Sequence, residues 1–464
     1  MALPTIQSRK GLKQILAATT LSILATTAIA GQDMTTNNTH EFTLDNGLKL
    51  IVREDHRAPV AVTMVWYKVG SVDEPRGKGG LSHMLEHMMF KGTPTLKPNE
   101  HSTIIANLGG KDNAFTSYDY TAYFEILPSW ELETSLRLES DRMANLVLKD
   151  EDFTPERQVV AEERRQRTDS NPQSLFYEAF NATVWTTNAY RNPIIGWMPE
   201  IQSWTLDDLK SWYKQFYRPN NATVVIVGDV DAKKTHELVN QYFGKIPRGE
   251  EIVREINFEV PQNDTKYIEM ATPANLPVLF MAYKVPSINS TDNKQEAYAL
   301  LLASEILSGS NTARLPKKMV RESQKSLDAS SYYNEGSRYD TTFMLSAVPA
   351  DGVELETLEA EIKAEIKNLQ TTLVAKEELN KILTAYRTSQ IFAKDSLYSQ
   401  AMSIGSSETT GEGWRNRENL VSYLEKVTPE EIQQVAQKYL NDGNLTVGRL
   451  RAHTAPIEAI NEGE

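Results

Sequence analysis

Within the run His83-Met84-Leu85-Glu86-His87, two imidazoles and a carboxylate stand at spacings that can do chemistry together. At roughly 100° per residue on a helix, His87 lies about 40° from His83, and Glu86 about 60° to its other side. All three share one face, while Leu81, Leu85, Met88 and Met89 point away toward a core. Histidines at i and i+4 can both reach one zinc ion, and the carboxylate beside them can take a proton from the water the metal would hold. That is metal-assisted hydrolysis. The bland alternative is a pair of surface histidines on an amphipathic helix. The chain has seven histidines and no cysteine, so any metal must be held by His, Asp or Glu.

A catalytic zinc takes a third protein ligand and keeps an open position. The best source is a helix expected to begin at Thr154-Pro155-Glu156, with Thr154 as its cap and Pro155 at its first position. On it, Glu163 shares a face with Val159 and Val160, whereas Glu162 turns about 100° away toward solvent. A carboxylate on an apolar face needs a partner, and Glu163 is the expected third ligand. Glu156, on the same helix, would orient a ligand or balance charge. For Glu163 the alternative is an ion pair with a nearby arginine.

The elements that must position these groups come in two copies. The segment Thr205–Thr223 has a counterpart at Thr428–Thr446, an offset of 428 − 205 = 223 residues. Each copy has a capped helix pattern, a turn with Pro or Gly, and a β-rich run at Thr223–Val227 or Thr446–Leu450. Strand patterns ending at Pro128 and Pro349 repeat at 349 − 128 = 221. Two halves of about 220 residues follow. Residues 31–247 form the metal-binding half, 248–265 a linker and 266–464 a second half. Strands at Glu41–Arg53, Ala61–Val69 and Thr121–Leu127, with helical patterns at Trp130–Val147 and Leu355–Leu369, give an α+β fold of meanders and hairpins.

Composition fits a soluble globular protein of 464 residues and formal net charge −13, which argues against nucleic acid as partner. The acidic balance is weak evidence for basic substrates. Arg9, Lys10 and Lys13 precede an apolar stretch, Ile15–Ala30, ending Ala28-Ile29-Ala30. That reads as a signal peptide on residues 1–30, cleaved after Ala30, and in a bacterium as export to the periplasm. A mitochondrial transit peptide is the alternative. The stretch is too short and threonine-rich for a stable membrane anchor.

The motifs together resemble the pitrilysin/insulinase family of zinc peptidases, in the branch of mitochondrial processing peptidase and its bacterial relatives. They are Gly80–Thr93, Asn113-Ala114-Phe115-Thr116, Glu156–Glu163, Pro193-Ile194-Ile195-Gly196, Tyr217–Asn221, and Leu307-Ser308-Gly309 with Ser310–Leu315. The resemblance implies one Zn2+ on His83, His87 and Glu163, with Glu86 as general base. It implies two homologous α/β-sandwich-like halves, each a mostly antiparallel sheet covered by helices, facing each other across a chamber. It implies a peptide or unfolded segment taken up along Asn113, Ala114, Phe115 and Thr116 by strand addition. It also implies an Arg/Tyr pair from a C-terminal half, for which Arg338 and Tyr339 are the candidates. In relatives of this length a homologous partner chain, in a homo- or heterodimer, can supply that pair. The second half carries no metal motif, since Leu300, Ala303 and Ser304 stand opposite His83, Glu86 and His87. Other classes are a non-catalytic or partner-dependent assembly subunit, and a zinc hydrolase of non-peptide substrates.

Overall fold

Thr205 and Thr428 each accept a hydrogen bond from the backbone N–H three residues on, Asp208 and Glu431, whose carboxylates bond back to the cap. These reciprocal capping boxes start equivalent helices, Leu206–Phe216 and Pro429–Tyr439. In the computed structural model, which describes residues 38–255, 257–272 and 276–452, each helix leads into a central strand. The expected signal peptide and His453 lie outside the described residues.

The strands are β1 (Thr39–Thr43), β2 (Lys49–Glu54), β3 (Val60–Tyr67), β4 (Lys111–Thr116), β5 (Thr121–Pro128), β6 (Ala222–Gly228), β7 (Lys266–Thr272), β8 (Val278–Val285), β9 (Ser326–Tyr333), β10 (Thr341–Pro349) and β11 (Leu445–Ala452). They form a six-stranded sheet, β1-β2-β6-β3-β5-β4, and a five-stranded sheet, β7-β11-β8-β10-β9. The second order repeats the first without its leading strand. In each sheet the returning strand pairs parallel on one side (β6 with β2, β11 with β7) and antiparallel on the other. The remaining pairs are antiparallel.

The helices used below are α1 (Leu81–Met88), α2 (Leu132–Asn145), α3 (Asp150–Arg164), α4 (Pro172–Val184), α5 (Leu206–Phe216), α6 (Ala232–Phe243), α7 (Lys294–Ser308), α8 (Leu355–Thr371), α9 (Leu397–Thr410) and α10 (Pro429–Tyr439). One face of the first sheet, through Leu50, Val52, Val224 and Ile226, packs on residues of α1, α2, α3, α5 and α6. The second sheet packs likewise on α7, α8 and α10. The charged stretch Glu361–Lys381 spans the end of α8 and the start of a separate helix, Lys376–Ala393. Ile362, Ile366 and Leu369 of α8 are buried.

The central strands are apolar at successive positions, as in Val224-Val225-Ile226-Val227, and so require cover on both faces. The second cover comes from the other half. Ala401 and Ile404 of α9, with Trp414, bury Ile51, Met64, Trp66, Val225 and Val227 on the back of the first sheet. In return, Phe176 and Phe180 of α4 pack on Phe280 and Leu450 of the second sheet. The two crossing helices are themselves repeats, 397 − 172 = 225 residues apart. A side chain would block either contact: a Cβ at Gly405 would lie 2.1 Å from Trp66, and one at Gly448 2.4 Å from Phe180.

Ion pairs complete the interlock. Arg338 is 8% exposed; its Nη1 donates to both oxygens of Asp73 (2.9 and 3.0 Å) and its backbone N–H to Asp119 Oδ2. Asp119 also accepts from Tyr190, at 2.8 Å. Residues 248–265 contain no helix or strand among the described residues, yet they are pinned. Arg254 Nε donates to Asp73. Glu259 accepts from the backbone N–H groups of Thr186, Thr187 and Asn188 and from Lys284. Burial raises the Glu259 carboxyl, but those donors hold it down to about 2.

Two stability outcomes follow. Gly405→Ala gains ~1 kcal/mol of helix propensity but overpacks the Trp66 contact at ~1–3 kcal/mol. The net change is a lowered urea midpoint at unchanged slope, and a raised midpoint would contradict this seating of α9. Arg338→Ala leaves buried Asp119 without its cation and Asp73 with Arg254 alone, and is expected to cost ~3–5 kcal/mol. A substrate-contact role alone would leave the same unfolding curve unmoved.

Candidate metal centre

Helix α1 starts at Leu81 because Gly80, at φ +88°, turns the chain into it. Gly80 has no side chain to cap the orphan N–H groups, so Glu74 does it from six residues upstream. Its carboxylate accepts from the N–H of Gly80 (2.6 Å) and of Ser82 (2.7 Å). Leu81, Met84, Leu85 and Met88 are buried in the core, which turns His83, Glu86 and His87 outward.

The facing helix, α3, begins at Asp150 rather than at Thr154-Pro155. Phe153 is buried and Asp150, Glu151 and Asp152 suit the positive end of the helix, so one more turn forms despite the proline. Val160 is fully buried, whereas Val159, expected beside it, is 49% exposed. Glu156 and Glu163 lie on the Val160 side. Arg164 fixes the end of α3 by pairing with Glu178 of α4 at 2.7 and 2.8 Å and donating to Gly196 O at 2.8 Å.

The two helices bring His83, His87 and Glu163 together, their ligating atoms all within 4.8 Å of one another. Glu163 Oε2 lies 3.8 Å from His83 Nε2 and 3.4 Å from His87 Nε2. Ligands about 2.0–2.2 Å from a tetrahedral zinc would stand roughly 3.3–3.5 Å apart, so this N,N,O set fits the ion with small adjustment. His87 Nδ1 is bonded to Glu156 Oε1 at 2.8 Å, which turns Nε2 toward Glu163. Lys91 Nζ holds the other Glu156 oxygen at 2.5 Å, and Arg167 holds Glu163 Oε1 at 2.6 Å.

Electrostatics separates the two histidines. Burial and then the neighbouring His87 push His83 down to about 4. Burial also works against protonation of His87, but Glu156 and Glu163 raise it to about 9. Burial raises the Glu86 carboxyl, while the Thr116 hydroxyl, donating to Glu86 Oε2 at 2.5 Å, draws it back.

Thr116 ends β4, the edge of the first sheet, whose free side borders a cleft of about 620 Å3. His83, Glu86, Glu163, Ala114, Phe115 and Thr116 line it. Asn113, midway along the strand, is exposed and is not among the described residues lining the cleft. Arg338 and Tyr339 are not part of the cleft wall; Arg338 is spent between the halves, and Tyr339 lines a separate cavity with Val72 and Arg254. Leu300 and Ala303 of α7 are buried in the apolar core, and Ser304 is buried with its hydroxyl bonded to Ser331. His101, Glu125 and Glu139 also bring ligating atoms together, but all three are buried and Arg142 pairs with Glu139, which makes them a closed charge network.

Sequence reasoning missed Glu74, Lys91 and Arg164. Lys91, four residues after His87, carried a spacing signal; Glu74 and Arg164 act through the fold and carried none.

Comparison with known proteins agrees with this architecture. The family described as Insulinase (Peptidase family M16) matches residues 49–197, and the Peptidase M16 inactive domain matches residues 203–386. Zinc protease PqqE of Helicobacter pylori is 35% identical over 344 residues, covering 73% of this chain and 76% of that protein. The uncharacterized zinc protease YmxG of Bacillus subtilis is 23% identical over 402 residues, 86% and 95% of the two chains. Among solved structures, a protease from Helicobacter pylori superposes with a TM-score of 0.84 at 30% identity, covering 89% of this chain and 99% of that one. A putative M16-like peptidase from Alicyclobacillus acidocaldarius shares the fold, with a TM-score of 0.79 at 19% identity, covering 89% and 97%. By these matches the chain belongs to the insulinase family of peptidases, family M16.

Proposed function

We propose that the chain is a zinc-dependent endopeptidase acting on peptides or unfolded segments, with His83, His87 and Glu163 holding one zinc ion and Glu86 serving as general base. The observation that carries this is the convergence of His83, His87 and Glu163 from two helices, with Glu86 beside them at an open strand edge. A zinc ion there would supply Lewis-acid polarisation of a scissile carbonyl and acidify a water.

The chain's own groups do the rest. Glu86, kept in place by Thr116, accepts the proton of the attacking water and passes it to the leaving amine; burial raises its affinity for that proton. Glu156 fixes the ring of His87, and Lys91 fixes Glu156. The open edge of β4 takes the substrate backbone by strand addition from Asn113 to Thr116, so recognition rests on main-chain hydrogen bonds. Residues 31–247 are proposed as the catalytic domain, 248–265 as the linker and 266–464 as its homologue without ligands. The leader would direct the mature chain, from Gly31, to the bacterial periplasm. Among the described residues no helix is long and apolar enough to cross a membrane.

One observation favours a partner-dependent form. Arg338 is committed to Asp73 and Tyr339 stands outside the cleft, so a second copy or related subunit would supply the Arg/Tyr pair that family resemblance implies.

Zinc content and peptide hydrolysis of the chain from Gly31, beside Glu86→Gln, test the assignment. The variant is expected to keep near-stoichiometric zinc and to lose hydrolysis by ~10²–10⁴-fold; absence of zinc from both proteins would sink it, and zinc without hydrolysis in the parent would point to the partner. Glu156→Gln is expected to weaken zinc binding ~10–100-fold, read by competition with a chelator. Unchanged affinity would remove Glu156 from the metal's support.

A further inference from the structure

Beyond Thr116 the β4–β5 turn, Ser117 to Tyr120, opens onto a second cavity of about 480 Å3 between the two halves. It adjoins the metal cleft: Tyr118, Tyr177, Asn181 and Ile194 line both. Its size falls within the range of ordinary ligand pockets, ~300–1,000 Å3. The wall is aromatic on both sides, with Tyr118, Tyr177 and Trp185 from the first half and Tyr332 from the second.

Charge on that wall is neutralised internally. Among its described lining residues only Asp119 and Arg417 are ionic, and both are paired. Asp119 holds Tyr190 and the backbone of Arg338, while Arg417 pairs with Glu335 at 2.6 Å and Glu412 at 2.7 Å. What remains open is large aromatic surface, with Tyr177 46% and Tyr332 66% exposed, beside uncharged polar groups such as Ser117, Asn181 and Asn334. Large aromatic side chains left uncovered around a concavity next to a binding cleft mark a place where apolar surface is buried on binding.

We propose that this cavity is a substrate subsite: it receives an uncharged aromatic or long aliphatic side chain of the peptide lying along β4, a few residues from the scissile bond. The occupant follows from that adjacency. An extended chain advances ~3.3 Å per residue, so a peptide paired with Ala114–Thr116 and continuing in the same direction passes Tyr118 and Tyr177 into the cavity. Backbone pairing on β4 is indifferent to sequence, and the cavity adds the selectivity that the strand edge lacks. A glutamate or lysine side chain entering it would find no free counter-charge and would lose its hydration.

This subsite rests on the peptidase function proposed above, so its test needs one arm that reads hydrolysis and one that does not. In the first, a single Phe is moved one position at a time through an otherwise Ala/Ser quenched-fluorescence peptide, on both sides of the bond. The ratio of kcat/KM to that of the Phe-free peptide is expected to peak at one displaced position, by roughly tenfold or more. Tyr332→Ala is expected to collapse that ratio and Tyr332→Phe to keep it. Both substitutions fall on an exposed side chain and spare the core. In the second arm, fluorescence anisotropy measures binding of the best Phe peptide and its Glu-substituted counterpart to Glu86→Gln, with and without Tyr332→Ala. Preference for Phe that Tyr332→Ala abolishes supports the subsite. A flat positional profile with hydrolysis intact overturns it, as does a peak indifferent to both Tyr332→Ala and Tyr177→Ala. If no peptide is hydrolysed, zinc content decides between a failed catalytic assignment and a missing partner, and the binding arm still decides the cavity: equal binding of the Phe and Glu peptides would overturn it.

Discussion

Each sheet has two apolar faces, and each half of the chain covers only one of them with helices of its own. The uncovered faces carry Met64, Trp66, Val225 and Val227 on one side and Phe280 and Leu450 on the other. Fully burying one large apolar side chain contributes ~1.5–3 kcal/mol, so several left in water would outweigh the ~5–15 kcal/mol by which a folded protein is stable. The exchange of α4 and α9 removes that penalty for both halves at once, and from Asn38 onward the chain forms a single compact unit.

The same exchange reaches the candidate metal centre. Helix α4 has two loyalties: Phe176 and Phe180 are fixed in the second half, while Glu178, between them in sequence, holds Arg164. Arg164 is the neighbour of Glu163 and terminates the helix that carries it. The second half therefore helps to set where Glu163 stands. On the other side, α1 is fixed by its buried leucines and methionines and by Glu74 at its start. The candidate centre forms where two independently anchored helices meet, and such sites hold geometry better than sites on loops.

Much of this was written locally. His83, Glu86 and His87 share a face because helical periodicity requires it, and the paired capping boxes at Thr205 and Thr428 announced two equivalent helices from a few residues each. What could not be read depends on distant partners. The first turn of α3 forms through the burial of Phe153, which outweighs the proline signal at Pro155. Arg338, beside a tyrosine in the second half, looks like a substrate contact until Asp73, 265 residues earlier, is found holding it. The crossing of α4 and α9 left a trace in the unbroken apolar run Val224–Val227, which asks for cover on both faces without saying whose.

The repeated sheet order, with a helix passed each way, has the form of an exchange between two equal partners. Two separate copies of one ancestral half, related by a twofold axis, would each lend a helix to the other's sheet through an isologous, closed contact. Joining such partners end to end preserves the contact while lifting the requirement that both copies stay the same. One copy can then keep a helix bearing His83 and His87 while its counterpart, α7, fills those positions with Leu300 and Ser304 and becomes core. Asymmetry of chemistry on a symmetric frame is what fusion permits and what an obligate homodimer forbids.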